Sequence, residues 1–212
     1  PQIWLIFEDD LGLAAKTAER LTAAGHKVAR VRPGDTYAQL TETSFVLAPE
    51  QGRAGYAALL ADLEREDMLP SRIAHFRLVT DKESFRPGSS FFDRNLEMGF
   101  HSLTALAQEL GSMDLPKPPH VTVFTTGAAQ LGNEPLANPE KALIAGPACM
   151  LPRELPRFTC TSEDIELPKA PTGLLARMRS APPSDITPRL LQDMLPDSNS
   201  AFALWRGPTR VE

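Results

Sequence analysis

The sequence predicts an α/β fold, a three-layer α/β/α sandwich around a mainly parallel sheet. Two observations carry this prediction. Short apolar runs of strand length recur along the 212-residue chain, and helical stretches separate them. That alternation is typical of consecutive βαβ units, whose strands pair in parallel. A chain of this length can bury one core, so a single domain is the simplest organisation.

The first unit shows the pattern most plainly. An apolar strand over Ile3–Phe7 leads into a short polar turn, and an Ala-rich helix is predicted over Gly12–Ala24. Gly25 closes this helix, because glycine readily adopts the left-handed conformation found after a helix C-terminus. A second strand over His26–Arg32 ends at Pro33 and Gly34.

The middle of the chain continues the alternation. A short apolar strand, Ser44–Leu47, precedes a helix over Ala54–Asp67, in which leucines and alanines recur at helical spacing. The third core strand is Ile73–Val79. A polar surface loop over Asp81–Gly88 then leads into a long helix over Ser90–Leu110.

A stiff connector over Pro116–Pro119 opens the last regular unit, because residues before proline avoid the helical region. The strand His120–Thr125 alternates β-branched and other residues, as strands do. A helix over Pro139–Ala148 follows, since proline is tolerated in a first helical turn. Phe158–Ile165 is the last strand of the regular sheet.

Beyond Leu167 the pattern loosens and prolines accumulate. We therefore divide the chain into an α/β subdomain over 1–167 and a Pro-rich helical linker with a closing strand over 168–212, leading to the next domain. Within the second part, the sequence predicts short helices over Thr172–Arg179 and Pro188–Leu195 and a strand over Ala201–Trp205.

Composition excludes several classes of function. The 22 basic and 27 acidic side chains give a formal net charge of −5, without a basic block, so neither nucleic acid nor an anionic membrane is an expected partner. No apolar run approaches the roughly 20 residues that span a bilayer, and no signal-peptide pattern opens the chain. We expect a cytoplasmic protein.

The cysteines and histidines do not form a metal-ligand pattern. Cys149 and Cys160 fit buried thiols in a reducing compartment, although one disulfide between them stays open. Four histidines are scattered singly, which favours surface or hydrogen-bonded structural roles, and no metal site is predicted. They are His26, His75, His101 and His120.

The turn after the first strand lies where a dinucleotide site would be. Such sites use three glycines, so that backbone amides can approach the pyrophosphate. Here only Gly12 is present, and the carboxylates of Glu8, Asp9 and Asp10 would repel a phosphate. Helix capping by Asp9 or Asp10 explains these acids better. No cofactor-binding residue is predicted in this chain.

The catalytic group of a short-chain reductase is also missing. In those enzymes a serine at a strand end works with a Tyr-x-x-x-Lys pair on the next helix, whose lysine eases proton transfer from the tyrosine. Thr126 ends the strand here and Lys141 opens the next helix, but Ala137 stands where the tyrosine should be. Lys141 is expected on the surface, or paired with Glu140 or Glu134. No catalytic residue is predicted.

Several short motifs occur in an order that carries a family resemblance. They are the opening strand Trp4–Phe7 with its turn to Gly12, Pro49–Asp62 with its GYAALL piece, Ile73–His75, Ser102–Gln108, Val123–Ala128, Asn138–Ala142 with Gly146-Pro147, and Pro152–Glu154 followed by Phe158–Ile165. As an ordered set over about residues 3–167, they resemble the N-terminal structural subdomain of the ketoreductase region of modular type I polyketide synthases.

The resemblance implies a truncated Rossmann-like half without catalysis. In that family a first, degenerate half supports a second, catalytic half, and NADPH is expected only in the latter. The expected partners are other domains of the same synthase, chiefly that half, or a neighbouring methyltransferase or dehydratase. Two alternatives stay open: a free-standing short-chain NAD(P)-dependent reductase, and a nucleotide- or acyl-binding module without chemistry.

The resemblance also suggests a docking face. A truncated half exposes a sheet edge that another part of the protein must cover. We expect the strands Ile3–Phe7 and Ala201–Trp205 near that junction, with Trp4, Phe202 and Trp205 as anchors. For Trp4, a place in the core of this domain is an equal alternative.

Overall fold

A nine-stranded sheet forms the centre of the computed structural model, which describes residues 1–81, 90–115, 117–168, 185–196 and 200–212. The strands are β1 (Ile3–Phe7), β2 (Lys27–Pro33), β3 (Ala38–Thr41), β4 (Ser44–Leu47), β5 (Arg72–Leu78), β6 (His120–Thr125), β7 (Thr159–Ile165), β8 (Phe202–Arg206) and β9 (Thr209–Val211).

The helices cover both faces of this sheet. They are α1 (Leu13–Ala23), α2 (Arg53–Arg65), α3 (Phe91–Asn95), α4 (Ser102–Ser112), α5 (Ala145–Glu154) and α6 (Thr187–Met194). Short 3₁₀ turns form over Pro49–Gln51 and Pro139–Ile144, and a π-helical segment over Leu96–His101 joins α3 to α4.

The strand order is β3-β4-β2-β1-β5-β6-β7-β8-β9. Among the described strands, every pairing from β4 to β8 is parallel, and the edge strands β3 and β9 pair antiparallel. The predicted fold class, a mainly parallel Rossmann-like α/β sandwich, is therefore confirmed. Neither antiparallel edge strand was predicted from the sequence.

Alternation along the central strands builds a core on each face of the sheet. On β1, Leu5 and Phe7 belong to one core cluster, together with residues of α2, α4 and α5. Trp4 and Ile6 belong to the other, which residues of α1 and α6 complete. Side chains of successive strand residues point to opposite faces, and both faces are buried here.

The end of α1 follows the prediction. His26 N donates to Leu21 O at 3.1 Å and Gly25 N donates to Thr22 O at 3.0 Å, with Gly25 at φ 85°. These two bonds are the Schellman pattern, in which a left-handed glycine lets the chain turn back toward the helix.

Two predicted helices differ from the structure. The long helix over Ser90–Leu110 is interrupted by the π-helical segment, where Gly99 lies so close to Leu78 that a Cβ would meet its Cδ1 at 2.6 Å. The helix predicted over Pro139–Ala148 begins as a 3₁₀ turn and becomes α-helical only at Ala145. Local apolar spacing cannot distinguish these helix types, because packing against distant strands decides between them.

The predicted docking strand Ile3–Phe7 is not at an edge. It is β1, paired with β2 and β5 on its two sides, and Trp4 is 1% exposed in the core. The alternative that Trp4 is a core residue is correct. On β8, Phe202 is 40% exposed, whereas Trp205 is partly buried and packs against the second core cluster.

The second predicted region, 168–212, contributes to the same sheet through β8 and β9, and α6 covers one face. The division at residue 167 stays a prediction. Most of the predicted loop over Asp81–Gly88 and the predicted helix over Thr172–Arg179 lie outside the described residues.

Candidate functional site

Ligands of open parallel sheets bind beyond the carboxyl ends of the strands, where the strand order reverses. In this sheet the reversal lies between β1 and β5. The carboxyl ends of the parallel strands β1, β5, β6 and β7 lie side by side at this edge. We call this region the carboxyl edge and describe its residues from β1 outward.

A carboxylate occupies the N-terminus of α1. Asp9 Oδ2 accepts hydrogen bonds from Leu11 N at 3.0 Å and Leu13 N at 3.1 Å, and its Oδ1 accepts one from Ala14 N at 2.8 Å. The negative charge also suits the positive end of the helix dipole. Of the two predicted capping residues, Asp9 therefore has this role, and the amides that a pyrophosphate would use already have a partner.

The neighbouring acids form ion pairs. Glu8 pairs with Arg30 of β2, and Asp10 pairs with Arg94 of α3 at 2.9 Å. Each bond ties the turn after β1 to a neighbouring element. Asp9 thus caps α1, while Glu8 and Asp10 join the same turn to β2 and α3.

The amine of Lys141 is buried beside the carboxyl ends of β5 and β6. Lys141 Nζ donates to Thr80 Oγ1 at 2.6 Å, to Thr126 Oγ1 at 3.1 Å and to Thr126 O at 3.3 Å. Lys141 is 0% exposed, so the predicted surface position is wrong. The 3₁₀ turn over Pro139–Ile144 directs its side chain inward, toward the carboxyl ends of β5 and β6.

The acids predicted as partners of Lys141 make other contacts. Glu140 Oε1 accepts from Asn95 Nδ2 at 3.0 Å, and Glu134 Oε1 binds Arg206 at 2.7 Å. Thr126 also donates to Thr80 O at 2.8 Å. The hydroxyl and the amine are therefore both engaged in holding the segment after β5.

A second buried network closes the edge beside β7. The Asp164 carboxylate, which is 0% exposed, accepts from Thr125 Oγ1 at 2.8 Å, from Ala128 N at 2.9 Å and from Arg206 at 3.0 Å. Sequence reasoning missed this network. The available signal was an acid within a strand whose neighbours are core residues, because a buried charge requires a partner.

The hydroxyls of the two tyrosines in the chain bind residues other than Lys141. Tyr37 Oη donates to Asp62 at 2.6 Å, and burial, with the Asp62 bond, raises the pKa of Tyr37 well above its usual range. Tyr56 Oη donates to Ser102 Oγ at 2.7 Å, inside the core. Within the described part of the chain, neither hydroxyl forms a hydrogen bond with Lys141.

The Tyr56–Ser102 bond belongs to a polar cluster in the core. His75 Nε2 lies 2.8 Å from Ser102 Oγ, and Arg77 donates to Tyr56 Oη at 3.0 Å. Burial, with the charge of Arg77, lowers the pKa of His75 to about 3, so this histidine is neutral at physiological pH. The cluster is inaccessible to a substrate because all four residues are buried.

The other histidines and the cysteines are structural or exposed. His26 accepts a bond from Gln2 N, His120 bonds to Thr159, and His101 is exposed. Both cysteines are free thiols. Burial raises the pKa of Cys160 to about 12, whereas Cys149 is exposed, so the predicted burial of Cys149 is wrong. Among the described residues, no three potential metal ligands lie together.

A further groove among the described residues is lined by none of the carboxyl-edge residues named above. It has a volume of about 720 Å³ and runs between α4 and α5. Its walls are mainly apolar, formed by residues such as Phe100, Ala107, Gly111, Gly146, Met150 and Leu155. We refer to it as the α4–α5 groove.

A family model described as "Beta-ketoacyl synthase-like, N-terminal" matches residues 2–177. The chain belongs to this family. The match covers most of the 212 residues and includes every element from β1 to β7. A comparison of this sequence with curated proteins found no match.

Solved structures share its fold. An adenylation, ketoreductase and pseudo Asub multidomain structure of a keto acid-selecting NRPS module aligns with 99% of this chain, at 20% identity and a TM-score of 0.79. An N-terminal ketoreductase from the macrolactin assembly line aligns with 96%, at 16% identity and a TM-score of 0.69. A short-chain dehydrogenase from Streptomyces avermitilis aligns with 97%, at 13% identity and a TM-score of 0.63.

The present chain covers 16% of the length of the NRPS chain, 38% of the ketoreductase chain and 88% of the dehydrogenase chain. The resemblance to ketoreductase regions that the sequence indicates is confirmed. Among the described residues, no helix has the length and apolar character needed to cross a membrane.

Proposed function

We propose that this chain is a non-catalytic structural subdomain of a polyketide synthase module, which packs against and supports a catalytic NADPH-dependent ketoreductase half. The parent protein is then a multidomain synthase. A neighbouring methyltransferase or dehydratase is a further candidate for the supported domain. NADPH belongs to the catalytic half in this proposal, and the present chain binds none.

The contact that carries the proposal is the Asp9 carboxylate on the amides of α1. A pyrophosphate in this place would have to displace the carboxylate and then lie beside three negative side chains. Glu8 and Asp10 are held at the same turn by their ion pairs, so they cannot withdraw without losing those contacts. Like charges at contact distance are unfavourable, and the turn lacks the glycines that would let a phosphate approach.

The missing acid supports the same conclusion. A reductase of this fold needs a proton donor beside its lysine, and residue 137 is an alanine. Lys141 is enclosed, with its amine on Thr80 and Thr126 rather than facing a cleft. Its observed contacts are those of a brace between segments.

Chain length supports a partner of the same fold. The fold of this chain takes up 88% of a single dehydrogenase chain but only 38% of a chain named as a ketoreductase. The ketoreductase chain is therefore more than twice as long as the single dehydrogenase. Its additional length is sufficient for a second α/β half beside the first.

Calorimetric titration with NADPH and with NADH tests the proposal. We expect no saturable heat, and a matched titration of an active short-chain dehydrogenase provides the positive control. A dissociation constant near or below about 10 μM, on the order of −7 kcal/mol, would contradict the proposal.

One contact favours the alternative of a free-standing reductase. The Thr126 hydroxyl and the Lys141 amine lie 3.1 Å apart at a strand end, and a reductase of this fold also uses a hydroxyl and a lysine in this region. Turnover of a β-ketoacyl thioester by the purified chain, lost in both Thr126→Val and Lys141→Met variants that still fold, would establish this alternative. We expect no turnover.

A further inference from the structure

We propose that the polar cluster in the core binds a halide ion, chloride under physiological conditions, on the side chain of Arg77. This cluster joins β5, α2 and α4, and it consists of His75, Arg77, Tyr56 and Ser102. The ligand class is a small inorganic anion. The site shares no residue with the Asp9 turn, so the inference is independent of the proposed function.

Two nitrogens of the Arg77 guanidinium have no acceptor among the described residues. Nη1 donates to Tyr56 Oη at 3.0 Å and to Ser102 Oγ at 3.3 Å, whereas Nε and Nη2 are buried without a hydrogen-bond partner. Arg77 as a whole is only 5% exposed. A buried donor without an acceptor is costly, and the cost is larger for a charged group. An acceptor is therefore needed at these two nitrogens.

The two nitrogens belong to the same edge of the guanidinium. The N–H bonds of Nε and Nη2 run side by side, so one acceptor between them can bind both. Arginine uses this fork to bind carboxylates and phosphates. In the described part of the chain, no carboxylate forms an ion pair with Arg77. The fork is thus available to an anion from solution.

The cluster has a positive charge without an acid that balances it. His75 is neutral at physiological pH, because burial lowers its pKa to about 3. The Cζ atom of Arg77 lies 4.9 Å from the centre of the Phe7 ring, a contact that stabilises the cation on one face of its plane. A buried charge is unfavourable unless an opposite charge lies close to it. A negative ion in the plane of the fork supplies that charge.

The hydrogen-bonding groups of the cluster favour an anion over a water molecule. The guanidinium brings only donors, and the hydroxyls of Tyr56 and Ser102 bring one donor each. The side-chain acceptors are those two hydroxyl oxygens and the unprotonated nitrogen of His75. A water molecule would add two more donors to a cluster in which donors already exceed acceptors. A halide accepts both N–H bonds of the fork and donates none.

The enclosure of the cluster favours a single-atom ion. His75, Tyr56 and Ser102 are all 0% exposed, so the anion is bound without most of its hydration shell. Chloride and bromide release their hydration water more readily than fluoride does, and one atom needs less room than phosphate or acetate. Because the cluster is closed, the ion enters while the chain folds or opens locally.

Thermal unfolding in different sodium salts tests the inference. The chain is refolded from urea in about 150 mM sodium chloride, bromide or fluoride at one pH, and Tm is then measured by circular dichroism. A dissociation constant of about 5 mM predicts a Tm that is about 4–8 °C higher in chloride or bromide than in fluoride. Non-specific salt effects have the opposite order, because strongly hydrated anions are excluded from protein surfaces and stabilise the fold.

Arg77→Met removes the fork, and this variant should lose the rise in Tm in chloride and bromide. Arg32→Met is the matched control, because Arg32 is exposed on β2 and its replacement changes the net charge by the same amount. The control should keep the full rise. A wild-type Tm that is equal in the three salts, or highest in fluoride, overturns the inference. An Arg77→Met variant with the halide dependence of wild type does so too.

Bromide also gives a readout that does not require any variant to fold. Crystals of the wild-type chain grown in sodium bromide should show an anomalous peak at the bromine absorption edge, within hydrogen-bond distance of Arg77 Nε and Nη2. Bromide peaks on the surface only, or a water molecule at the fork, would overturn the inference. NADPH titration of the same chain tests the proposed function separately, since the Asp9 turn and the Arg77 fork have no residue in common.

Discussion

Replacing Asp9 by alanine removes the carboxylate that holds the start of α1. The variant leaves three backbone amides without their acceptor, those of Leu11, Leu13 and Ala14. Water can solvate the exposed Leu11 amide, whereas the Ala14 amide is more enclosed. Loss of a capping side chain costs about 0.5–2 kcal/mol, and loss of the favourable charge at a helix N-terminus costs about 0.3–1 kcal/mol.

We therefore expect Asp9→Ala to lower the free energy of unfolding by about 2 kcal/mol. For a chain of this size, that corresponds to a decrease in Tm of roughly 4–8 °C. Urea denaturation followed by far-UV circular dichroism measures the change at constant m-value. Asp9→Asn, which keeps an acceptor oxygen, should recover about half of the loss.

Asp10→Ala is the matched control. Asp10 lies next to Asp9 in the same turn, but its contact is an ion pair with Arg94 in which the Asp10 side chain is 63% exposed. Such pairs contribute about 0–1 kcal/mol. If Asp9→Ala destabilises the protein no more than Asp10→Ala does, the Asp9 carboxylate does not hold the start of α1. It then does not occupy the place of a phosphate at this helix end either.

Two further predictions concern buried ionisable groups. Lys141→Met should cost about 2–4 kcal/mol in urea denaturation, because Thr80 and Thr126 lose a buried donor, whereas a surface lysine would cost about 0.5 kcal/mol or less. Burial, with the nearby Asp193, raises the pKa of Glu163 from 4.5 to about 8. Between these pH values the folded protein keeps a proton that the unfolded chain has lost, so stability falls as pH rises through this range. Glu163→Gln should remove this fall. The free energy of unfolding of the variant, relative to wild type, should therefore increase by about 2–4 kcal/mol as the pH rises from 5 to 8. The exposed Glu50→Gln should show no such gain, and equal pH dependence in wild type and Glu163→Gln would refute the assignment.

The regular units of the fold were predictable because their signals are local. The seven strands β1, β2, β4, β5, β6, β7 and β8 were predicted to within about two residues, and Gly25 closes α1 as expected. The edge strands β3 and β9 were missed because each is short and gains its partner only through an antiparallel turn. Their own residues carry little apolar periodicity.

The site residues likewise divide into those that the sequence predicts locally and those that only the structure places. The acids of the turn Glu8–Asp10 and the alanine at residue 137 are properties of the sequence, and the predictions that no phosphate loop and no tyrosine acid are present depend on them alone. Whether Asp9 or Asp10 caps α1 depended on the backbone path of one turn, which only the structure supplied.

The sequence by itself determined the βαβ order and the residue types at each strand end, because both depend on which residue types follow one another. The tertiary structure decided that β1 is central, that Lys141 is buried and that Asp164 joins Arg206. The Lys141–Thr80 and Asp164–Arg206 contacts join residues that are 61 and 42 positions apart. No local pattern records such separations, since the charge of a lysine favours the surface until folding brings buried acceptors to it.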